Sequence, residues 1–267
     1  MVRKYSLILL ASWLATAQAS ISSQCINLRF QNRWLVGDCL TGSGGARIES
    51  SVYLQTKIAN HEGVLEWAIN GNFAASCTEC ALSFSPLKLN CKCRPTGGPS
   101  VPASIALDEH IAVYSGFLLS DQRGPPTPPA VASTIRLPAD PGWRLNYGNT
   151  SCYSENPGTC PPPAVGNGIT CPPLNAVSGA SVSAADGVSD CFAFRWPISI
   201  PTWQTFGSIQ ITSPSGAFKF HVYSTVDCSG GIKGTVEPSE LGTPGVCKAF
   251  NEQLLAFKSV PLWNGQT

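Results

Sequence analysis

Hydrophobic and polar residues alternate along short stretches of this chain, and glycine or proline interrupts each stretch. The clearest case runs from Leu87 to Arg94, where two leucines and two cysteines fill every second position. A period of two predicts a strand whose alternate side chains point into a core. Shorter apolar runs predict further strands in the same region, at 34–36, 51–54, 64–67 and 82–84.

Proline changes this pattern in the middle of the chain. Residues 125–129 read Pro-Pro-Thr-Pro-Pro, which supplies few backbone donors for a sheet and favours an extended polyproline conformation. We interpret residues 123–142 as a semi-rigid linker. Alternating strands return beyond it, at 192–196, 208–212, 217–223 and 254–261.

Composition favours an all-β protein. Charged residues make up 12% of the chain, which holds 25 glycines, 22 prolines and a single methionine. Few helix-forming surface residues and many turn formers are typical of short strands. Because a single hydrophobic core stops growing near this chain length, we predict two β domains, at 20–122 and 143–267, on either side of the linker.

The first 19 residues have the features of a secretory signal. Arg3 and Lys4 precede an apolar run that is too short to span a bilayer, and Ala17-Gln18-Ala19 has the small-x-small form of a cleavage site. No later apolar run reaches the ~20 residues that a membrane span requires. We therefore expect a secreted, extracellular protein without membrane insertion.

The charge balance argues against two classes of partner. Without Arg3 and Lys4 the chain keeps 15 of its 17 basic residues, against 16 acidic ones. Binding to a phosphate backbone needs clustered lysine and arginine, and so does a hold on anionic membranes. We expect no nucleic-acid partner and no electrostatic membrane anchor.

Twelve cysteines behind a secretory signal indicate disulfides, because the secretory route is oxidising. A zinc site would need closely spaced ligands in fours, and only Cys77, Cys80, Cys91 and Cys93 come near that spacing. We expect no metal and no other cofactor. Cys228 and Cys247 flank a glycine-rich loop and are expected to be disulfide-bonded, whereas the partners of Cys152, Cys160, Cys171 and Cys191 stay open.

The first part of the chain contains an internal repeat. Cys25 and Cys39 are 14 positions apart, and so are Cys77 and Cys91. Four apolar or glycine positions recur after a further 53 residues, since Leu54, Ile58, Gly63 and Leu65 return as Leu107, Ile111, Gly116 and Leu118. Such regular recurrence predicts two similar structural units.

Two segments of the repeat are specific enough to indicate a family. One reads His-Glu-Gly-Val-Leu-Glu-Trp at 61–67, with Asn72-Phe73 shortly after it; the other reads Ile-Ala-Leu-Asp-Glu-His-Ile-Ala at 105–112. Together with the cysteine spacing they resemble the cyanovirin-N homology (CVNH) domain, a family of sugar-binding lectins, over about residues 22–120. The resemblance implies two pseudo-symmetric β lobes that exchange segments, without catalysis. The family occurs largely in fungi, ferns and cyanobacteria. A fungal origin would suit a secreted second domain rich in proline and cysteine.

The resemblance also implies a disulfide pattern. The family bridges the cysteine pair within each repeat, which gives Cys25–Cys39 and Cys77–Cys91 and leaves Cys80 to pair with Cys93. A nested arrangement, Cys77–Cys93 with Cys80–Cys91, suits an antiparallel hairpin almost as well. The sequence leaves both open, as it leaves open a dimer formed by exchange of lobes.

Each lobe of the family carries one pocket for terminal α1,2-linked mannose of high-mannose glycans, bound by hydrogen bonds without metal. The resemblance places the second-lobe pocket at Asn60, Glu62, Asn72, Ser76, Lys92 and Arg94. It places the first-lobe pocket at Ser23, Gln24, Gly42 and Ser115. Ala75 and Cys93 depart from the family pattern in the second pocket, and Leu40 and Ser115 stand where the family tends to carry acids in the first.

Two other functions compete with a mannose-binding lectin. One is an extracellular structural or interaction protein whose sugar pockets have decayed. The other is a lectin module that targets an enzymatic second domain, where carboxylates occur at Asp186, Asp190, Glu237 and Glu240. Turn positions explain those acids adequately, and the chain has no Gly-x-Ser-x-Gly elbow, so we expect no enzyme. Asn149 begins the only N-glycosylation sequon and predicts a glycoprotein.

Overall fold

The computed structural model describes residues 19–42, 44–148, 179–184, 188, 191–193, 206–213, 217–237 and 247–267. Regular structure in these ranges is almost entirely β, which confirms the all-β prediction. The exceptions are the short helix α1 (Ile21–Gln24) and two 3₁₀ turns, Phe73–Ala75 and Leu107–Glu109. The predicted signal up to residue 18, the sequon at Asn149 and three cysteines (Cys152, Cys160 and Cys171) lie outside the described residues.

Ten strands build the repeated first part of the chain. They are β1 (Cys25–Gln31), β2 (Trp34–Leu40), β3 (Arg47–Tyr53), β4 (Ile58–His61), β5 (Val64–Trp67), β6 (Cys77–Ser83), β7 (Lys88–Cys93), β8 (Val101–Ala106), β9 (Ile111–Tyr114) and β10 (Phe117–Ser120). β1, β2 and β3 form one antiparallel sheet, and β6, β7 and β8 form its counterpart. The remaining four strands are two hairpins, β4–β5 and β9–β10.

Each hairpin packs on the sheet of the other repeat, as the resemblance implies for exchanged segments. Gly63, at the β4–β5 turn, lies so close to Val101 of β8 that an added Cβ would sit 2.7 Å from it. Gly116, at the β9–β10 turn, approaches Ile48 of β3 in the same way, at 2.8 Å. Both glycines have positive φ, at +87° and +92°. We call the β1–β2–β3 sheet with hairpin β9–β10 lobe 1, and the β6–β7–β8 sheet with hairpin β4–β5 lobe 2.

The disulfides correct one pairing that the resemblance implied. Cys25–Cys39 is present as expected, but Cys77 pairs with Cys93 and not with Cys91. Cys80 then pairs with Cys91, so the nested alternative is the one observed. The reason is register: Cys77 lies opposite Cys93 in the β6–β7 ladder, just as Cys25 lies opposite Cys39 in β1–β2. The equal spacing of 14 residues was therefore a coincidence.

The additional disulfide of lobe 2 has an apolar counterpart in lobe 1. Cys80 and Cys91 correspond in register to Leu28 and Gly37. A Cβ added to Gly37 would lie 2.8 Å from the Leu28 side chain, so the leucine fills the space above the glycine. The covalent bridge in one repeat thus replaces a packing contact in the other.

The last part of the chain forms two four-stranded sheets. Its strands are β11 (Trp143–Gly148), β12 (Gly179–Ala184), β13 (Phe192–Ala193), β14 (Phe206–Ser213), β15 (Phe218–Tyr223), β16 (Ile232–Val236), β17 (Cys247–Leu254) and β18 (Ala256–Pro261). The strand orders are β12-β11-β14-β17 and β13-β18-β15-β16. Inward-facing Leu145, Phe220, Val222 and Phe257 share one core. Cys228 is disulfide-bonded as expected, and its partner is Cys191, which the sequence left open.

Strand β2 is buried on both faces. Leu35 packs in the core that the two repeats share, whereas Trp34 and Val36 belong to the core of the last part of the chain. Tyr53 of β3 and Leu137 of the proline-rich segment join them there. The two predicted domains therefore share packed side chains, while the exact domain limits at 122 and 142 remain a prediction.

The C-terminal residues add a strand to lobe 1. β19 (Gly265–Gln266) runs parallel to β3 and pairs with Ser51 and Val52. The Gln266 side chain accepts a hydrogen bond from the backbone N–H of Ser120 in β10, at 2.6 Å. The end of the chain thus connects the β3 edge with the hairpin that the second repeat contributes.

Candidate functional site

Asn60 is the centre of a polar cluster on lobe 2. Its amide nitrogen donates to the Ser76 hydroxyl at 2.7 Å and to the backbone carbonyl of Arg94 at 2.9 Å. Its amide oxygen accepts the backbone N–H of Gly63 at 2.9 Å. The Arg94 N–H in turn donates to the Ser76 carbonyl, at 2.9 Å. One side chain thus joins three segments that lie far apart in the sequence.

Glu62 is held by a residue that the sequence did not single out. The Thr96 hydroxyl donates to Glu62 Oε1 at 2.6 Å, and the Thr96 backbone N–H donates to Glu62 Oε2 at 3.0 Å. These two hydrogen bonds, the hydroxyl one foremost, lower the pKa of the Glu62 carboxyl below its ordinary value. Glu62 is therefore an ionised, oriented acceptor on an exposed surface. A signal did exist, because Thr96 directly precedes Gly97-Gly98, a glycine pair that has a counterpart in Gly44-Gly45 of the first repeat.

The two basic candidates behave differently. Lys92 and Arg94 alternate with buried Cys93, so both point to the outer face of the lobe-2 sheet. Lys92 forms an ion pair with Glu79, its Nζ 2.6 Å from the carboxylate. The Arg94 side chain has no hydrogen-bond or ion-pair partner among the described residues. Arg94 is thus the better placed of the two to donate to a ligand.

Asn72 lies beside the cluster with a partner of its own. It precedes the Phe73–Ala75 turn, which ends at Ser76, and its side-chain oxygen accepts a hydrogen bond from Gln55 Nε2. The structure therefore joins Asn60, Ser76 and the Arg94 backbone by hydrogen bonds and holds Glu62 on Thr96, whereas Asn72 and Lys92 have other partners.

Lobe 1 lacks the corresponding side chains. By the offsets of the repeat, Asn60, Glu62, Arg94 and Thr96 correspond to Val113, Ser115, Leu40 and Gly42. None of these four can supply the amide, carboxylate or guanidinium found in lobe 2. Sequence comparison of the two halves therefore already distinguishes the two predicted sites.

Two of the predicted lobe-1 residues, Ser23 and Gln24, already form hydrogen bonds within the protein. Ser23 donates to the Ser20 carbonyl at 2.7 Å, and Gln24 Nε2 donates to the Ala19 carbonyl at 2.9 Å. Arg47 donates to the Gln24 carbonyl at 2.6 Å. Gly42 and exposed Ser115 lie in turns with positive φ, and neither builds a polar cluster there.

Metal and membrane features can be assessed over the described ranges. Within them no group of three or more histidine, cysteine, aspartate or glutamate side chains is arranged to hold a metal ion. No helix there is long and apolar enough to cross a membrane.

Comparison with known proteins bears on the first part of the chain. Residues 20–119 match the family model of the CVNH domain. Among solved structures, TbCVNH of T. borchii is 28% identical, with a TM-score of 0.34, over 38% of this chain and 99% of that one. GzCVNH of Gibberella zeae is 25% identical, with a TM-score of 0.34, over 37% of this chain and 94% of that one. A microvirin–mannobiose complex is 23% identical, with a TM-score of 0.35, over 39% of this chain and 99% of that one. No curated protein matches the chain.

Proposed function

We propose that the CVNH domain at residues 20–119 makes this chain a carbohydrate-binding protein, a lectin for mannose-type glycans that binds at lobe 2. The glycan is held by hydrogen bonds, without metal and without catalysis. The family match supports carbohydrate binding in general. The choice of mannose follows from the family resemblance and is the part that experiment must decide.

One observation carries the proposal: the Asn60 amide joins Ser76 and Arg94 into a single polar cluster. Asn60 lies in hairpin β4–β5 of the first repeat, Ser76 follows the Phe73–Ala75 turn, and Arg94 follows β7 of the second repeat. Their convergence requires the exchanged arrangement of the two lobes. An ordinary solvated loop would not hold an amide with three backbone and side-chain partners at hydrogen-bond distance.

The groups of this cluster suit a neutral sugar. A pyranose presents hydroxyls that both donate and accept, so its site needs acceptors and donors side by side. The ionised Glu62 carboxylate supplies acceptor positions, and the Arg94 guanidinium supplies donors. Thr96 keeps the carboxylate oriented, which lowers the entropy lost when a hydroxyl binds to it. We expect the carboxylate and the guanidinium to bind hydroxyls of the same sugar.

The proposal assigns one sugar site to each chain, because lobe 1 lacks the amide, the carboxylate and the guanidinium of lobe 2. A single exposed site predicts modest affinity. Clustering of chains or of glycans would then be needed for strong binding.

Secretion is part of the proposal. Four disulfides in the described residues support an oxidising compartment, and so does the amino-terminal signal pattern. Glycosylation at Asn149 and the role of residues 143–267 belong to the same set of expectations. Mass spectrometry of the secreted protein would test cleavage near residue 19 and the sequon together.

A second function is favoured by one specific observation. The loss of polar side chains from lobe 1 is what decay of a sugar pocket would look like, and an extracellular interaction protein could have lost the lobe-2 site as well. The Glu62–Thr96 pair argues against such loss, because two hydrogen bonds hold a fully exposed carboxylate in a fixed orientation.

A glycan array with matched variants separates the two functions. We expect the wild-type chain to bind mannose-terminated glycans, Glu62→Ala and Arg94→Ala to weaken binding at least about tenfold, and Ser115→Ala to bind as wild type. Ser115 is the control because it occupies the Glu62 position of lobe 1. If neither the wild type nor any variant binds a glycan on the array, the result would support an extracellular interaction protein that has lost its sugar sites.

A further inference from the structure

The proline-rich segment holds hydroxyl side chains in very different environments. Residues 125–134 read Pro-Pro-Thr-Pro-Pro-Ala-Val-Ala-Ser-Thr, so Thr127, Ser133 and Thr134 are the hydroxyl residues of this stretch. Proline together with serine and threonine is typical of O-glycosylated segments in secreted proteins. Composition does not distinguish the three hydroxyls from one another, but their contacts in the structure do.

Ser133 is fixed to the end of the chain. Its hydroxyl donates to the Leu262 carbonyl at 2.6 Å, and its backbone N–H donates to Asn264 Oδ1 at 2.6 Å. The Asn264 amide donates in return to the Ser133 carbonyl at 3.0 Å. An enzyme that modified this hydroxyl would have to break the contact between the proline-rich segment and the C-terminal residues.

Thr134 belongs to the same anchored turn. The Ile135 backbone N–H donates to the Ser133 hydroxyl at 3.1 Å, and the chain bends at Thr134 between them. The Thr134 side chain is exposed, but its backbone is held in a bend. It therefore does not offer an extended peptide to a modifying enzyme.

Thr127 is free on its side chain and on its backbone. It is exposed, whereas Pro126 and Pro128 on either side are half-buried, so the threonine is turned towards solvent. Residues 125–132 form no hydrogen bond with any other described residue. Proline has no backbone N–H and fixes φ, which keeps this stretch extended.

Both ends of the free stretch are held in place. Before it, the Arg123 guanidinium donates to Asn70 Oδ1 at 2.9 Å, and the Gly124 N–H donates to the Asp121 carbonyl at 2.8 Å. After it, Ser133 is bound to the C-terminal residues. Because the stretch is already extended and fixed at both ends, little conformational entropy is lost when an enzyme binds it.

We infer that Thr127 is an O-glycosylation site. Enzyme clefts commonly take peptides in an extended or polyproline conformation. Within residues 125–134, Thr127 is the one hydroxyl residue that combines such a backbone with an exposed side chain that has no partner among the described residues. Ser133 and Thr134 lack one or both of these properties.

The modification is a group transfer from a sugar that is activated as a nucleotide phosphate or a lipid phosphate. The hydroxyl oxygen of Thr127 attacks the anomeric carbon and forms the new glycosidic bond. The bond between that carbon and the phosphate oxygen breaks, and the phosphate leaves with the electron pair. The hydroxyl proton passes to a base of the transferase, so nothing is oxidised or reduced.

The inference goes beyond the proposed sugar binding and rests on the proposed secretion, because segments of this composition are glycosylated in secreted proteins. It is separate from the sequon at Asn149, which concerns a different linkage. A glycan on Thr127 lies on the solvent side of the segment, where it leaves the half-buried Pro126 and Pro128 undisturbed.

The experiment maps the full-length protein secreted by a eukaryotic host. Trypsin cleaves after Arg123 and Arg136 and releases residues 124–136, a peptide that contains all three hydroxyls and no asparagine. Any sugar mass on this peptide is therefore O-linked. We expect hexose or N-acetylhexosamine increments on it, and electron-transfer fragmentation in the mass spectrometer should place them on Thr127.

Two variants test the assignment. Thr127→Val should abolish the increments and leave the affinity for α1,2-linked mannobiose unchanged, whereas the matched control Thr134→Val should keep the glycan. The inference is overturned if the peptide carries no sugar, if it carries phosphate instead, or if only Thr134→Val removes the glycan. Secreted protein without sugar on this peptide contradicts the inference alone. Retention of the chain inside the cell contradicts the proposed secretion and the inference together.

Discussion

The indole rings of Trp34 and Trp263 pack edge to face, with 5.2 Å between their centroids, and join the first repeat to the end of the chain. The Trp263 N–H donates to the Ser51 hydroxyl at 2.9 Å, and the neighbouring Asn264 donates to the Glu49 carbonyl at 2.8 Å. The proline-rich segment takes part as well, since Ser133 donates to the Leu262 carbonyl at 2.6 Å. A contact surface of this kind makes the two parts depend on each other for stability.

Trp263→Ala tests that dependence. The side chain is 5% exposed, and its loss removes the packing on Trp34 together with the hydrogen bond to Ser51. We expect about 3–5 kcal/mol of destabilisation, typical of a large buried aromatic. Urea unfolding followed by circular dichroism measures it. Ile232→Ala, at a side chain that is 51% exposed, is the control and should cost less than about 0.5 kcal/mol.

A shortened chain that ends at residue 122 also tests the contact between lobe 1 and the last part of the chain. It exposes Trp34, Val36 and Tyr53, which the complete chain buries. The corresponding lobe-2 positions are Lys88, Asn90 and Ala106, so only lobe 1 carries an apolar outer face. We expect the shortened chain to aggregate or to bind a hydrophobic dye, as measured by light scattering and fluorescence.

Polar substitution should rescue the shortened chain. Trp34→Lys with Val36→Asn copies the lobe-2 outer face and is expected to give a monomeric, folded domain. If the unsubstituted chain is equally soluble and stable, the shared core contributes less than the packing indicates.

The nested disulfides predict a specific peptide map. Digestion without reduction should yield Cys77 linked to Cys93 and Cys80 linked to Cys91. The variant Cys80→Leu with Cys91→Gly reproduces the Leu28 and Gly37 pair of lobe 1. It should fold and lose about 2–3 kcal/mol, the effect of opening a short disulfide loop less the contact regained. Failure to fold would mean that the leucine–glycine contact is no substitute for the bridge.

The Glu62–Thr96 pair predicts a pH dependence of glycan binding. Because its hydrogen bonds lower the pKa of Glu62, the carboxylate stays ionised, and able to accept from a hydroxyl, until the pH falls below the ordinary carboxyl range. Thr96→Val removes the stronger hydrogen bond and should raise that pKa towards its ordinary value. Carbon NMR of the carboxyl group during acid titration measures the shift. Binding by the variant should then be lost at a higher pH than binding by wild type.

Much of the first part of the fold was predictable, because the same turn sequence occurs in both repeats. Glu62-Gly63 and Ser115-Gly116 lie 53 positions apart, and both turns need a glycine that approaches the opposite sheet. The repeat could not give the disulfide register, since the turn between the first two strands has two residues in lobe 1, between Gln31 and Trp34, and four in lobe 2, between Ser83 and Lys88. Only the observed pairing of β6 with β7 shows that Cys77 lies opposite Cys93 and not opposite Cys91.

The core that lobe 1 shares with the last part of the chain is indicated in the sequence by a run of consecutive apolar residues, not by alternation. Trp34, Leu35 and Val36 are three consecutive apolar residues, which is typical of a strand covered on both sides. A strand predicted from this run says nothing about what covers its second face, because most of the residues that cover it lie from Leu137 onwards. Thr96 was missed for a similar reason, as its role depends on a carboxylate 34 positions away.

Titration of the full-length chain with α1,2-linked mannobiose by calorimetry tests the central claim most directly. We predict one sugar bound per chain, with affinity reduced at least about tenfold by Arg94→Ala and unchanged by Ser115→Ala. Two sugars per chain, or equal loss in both variants, would contradict a single site at lobe 2, and no binding by a folded wild-type chain would contradict the lectin function itself.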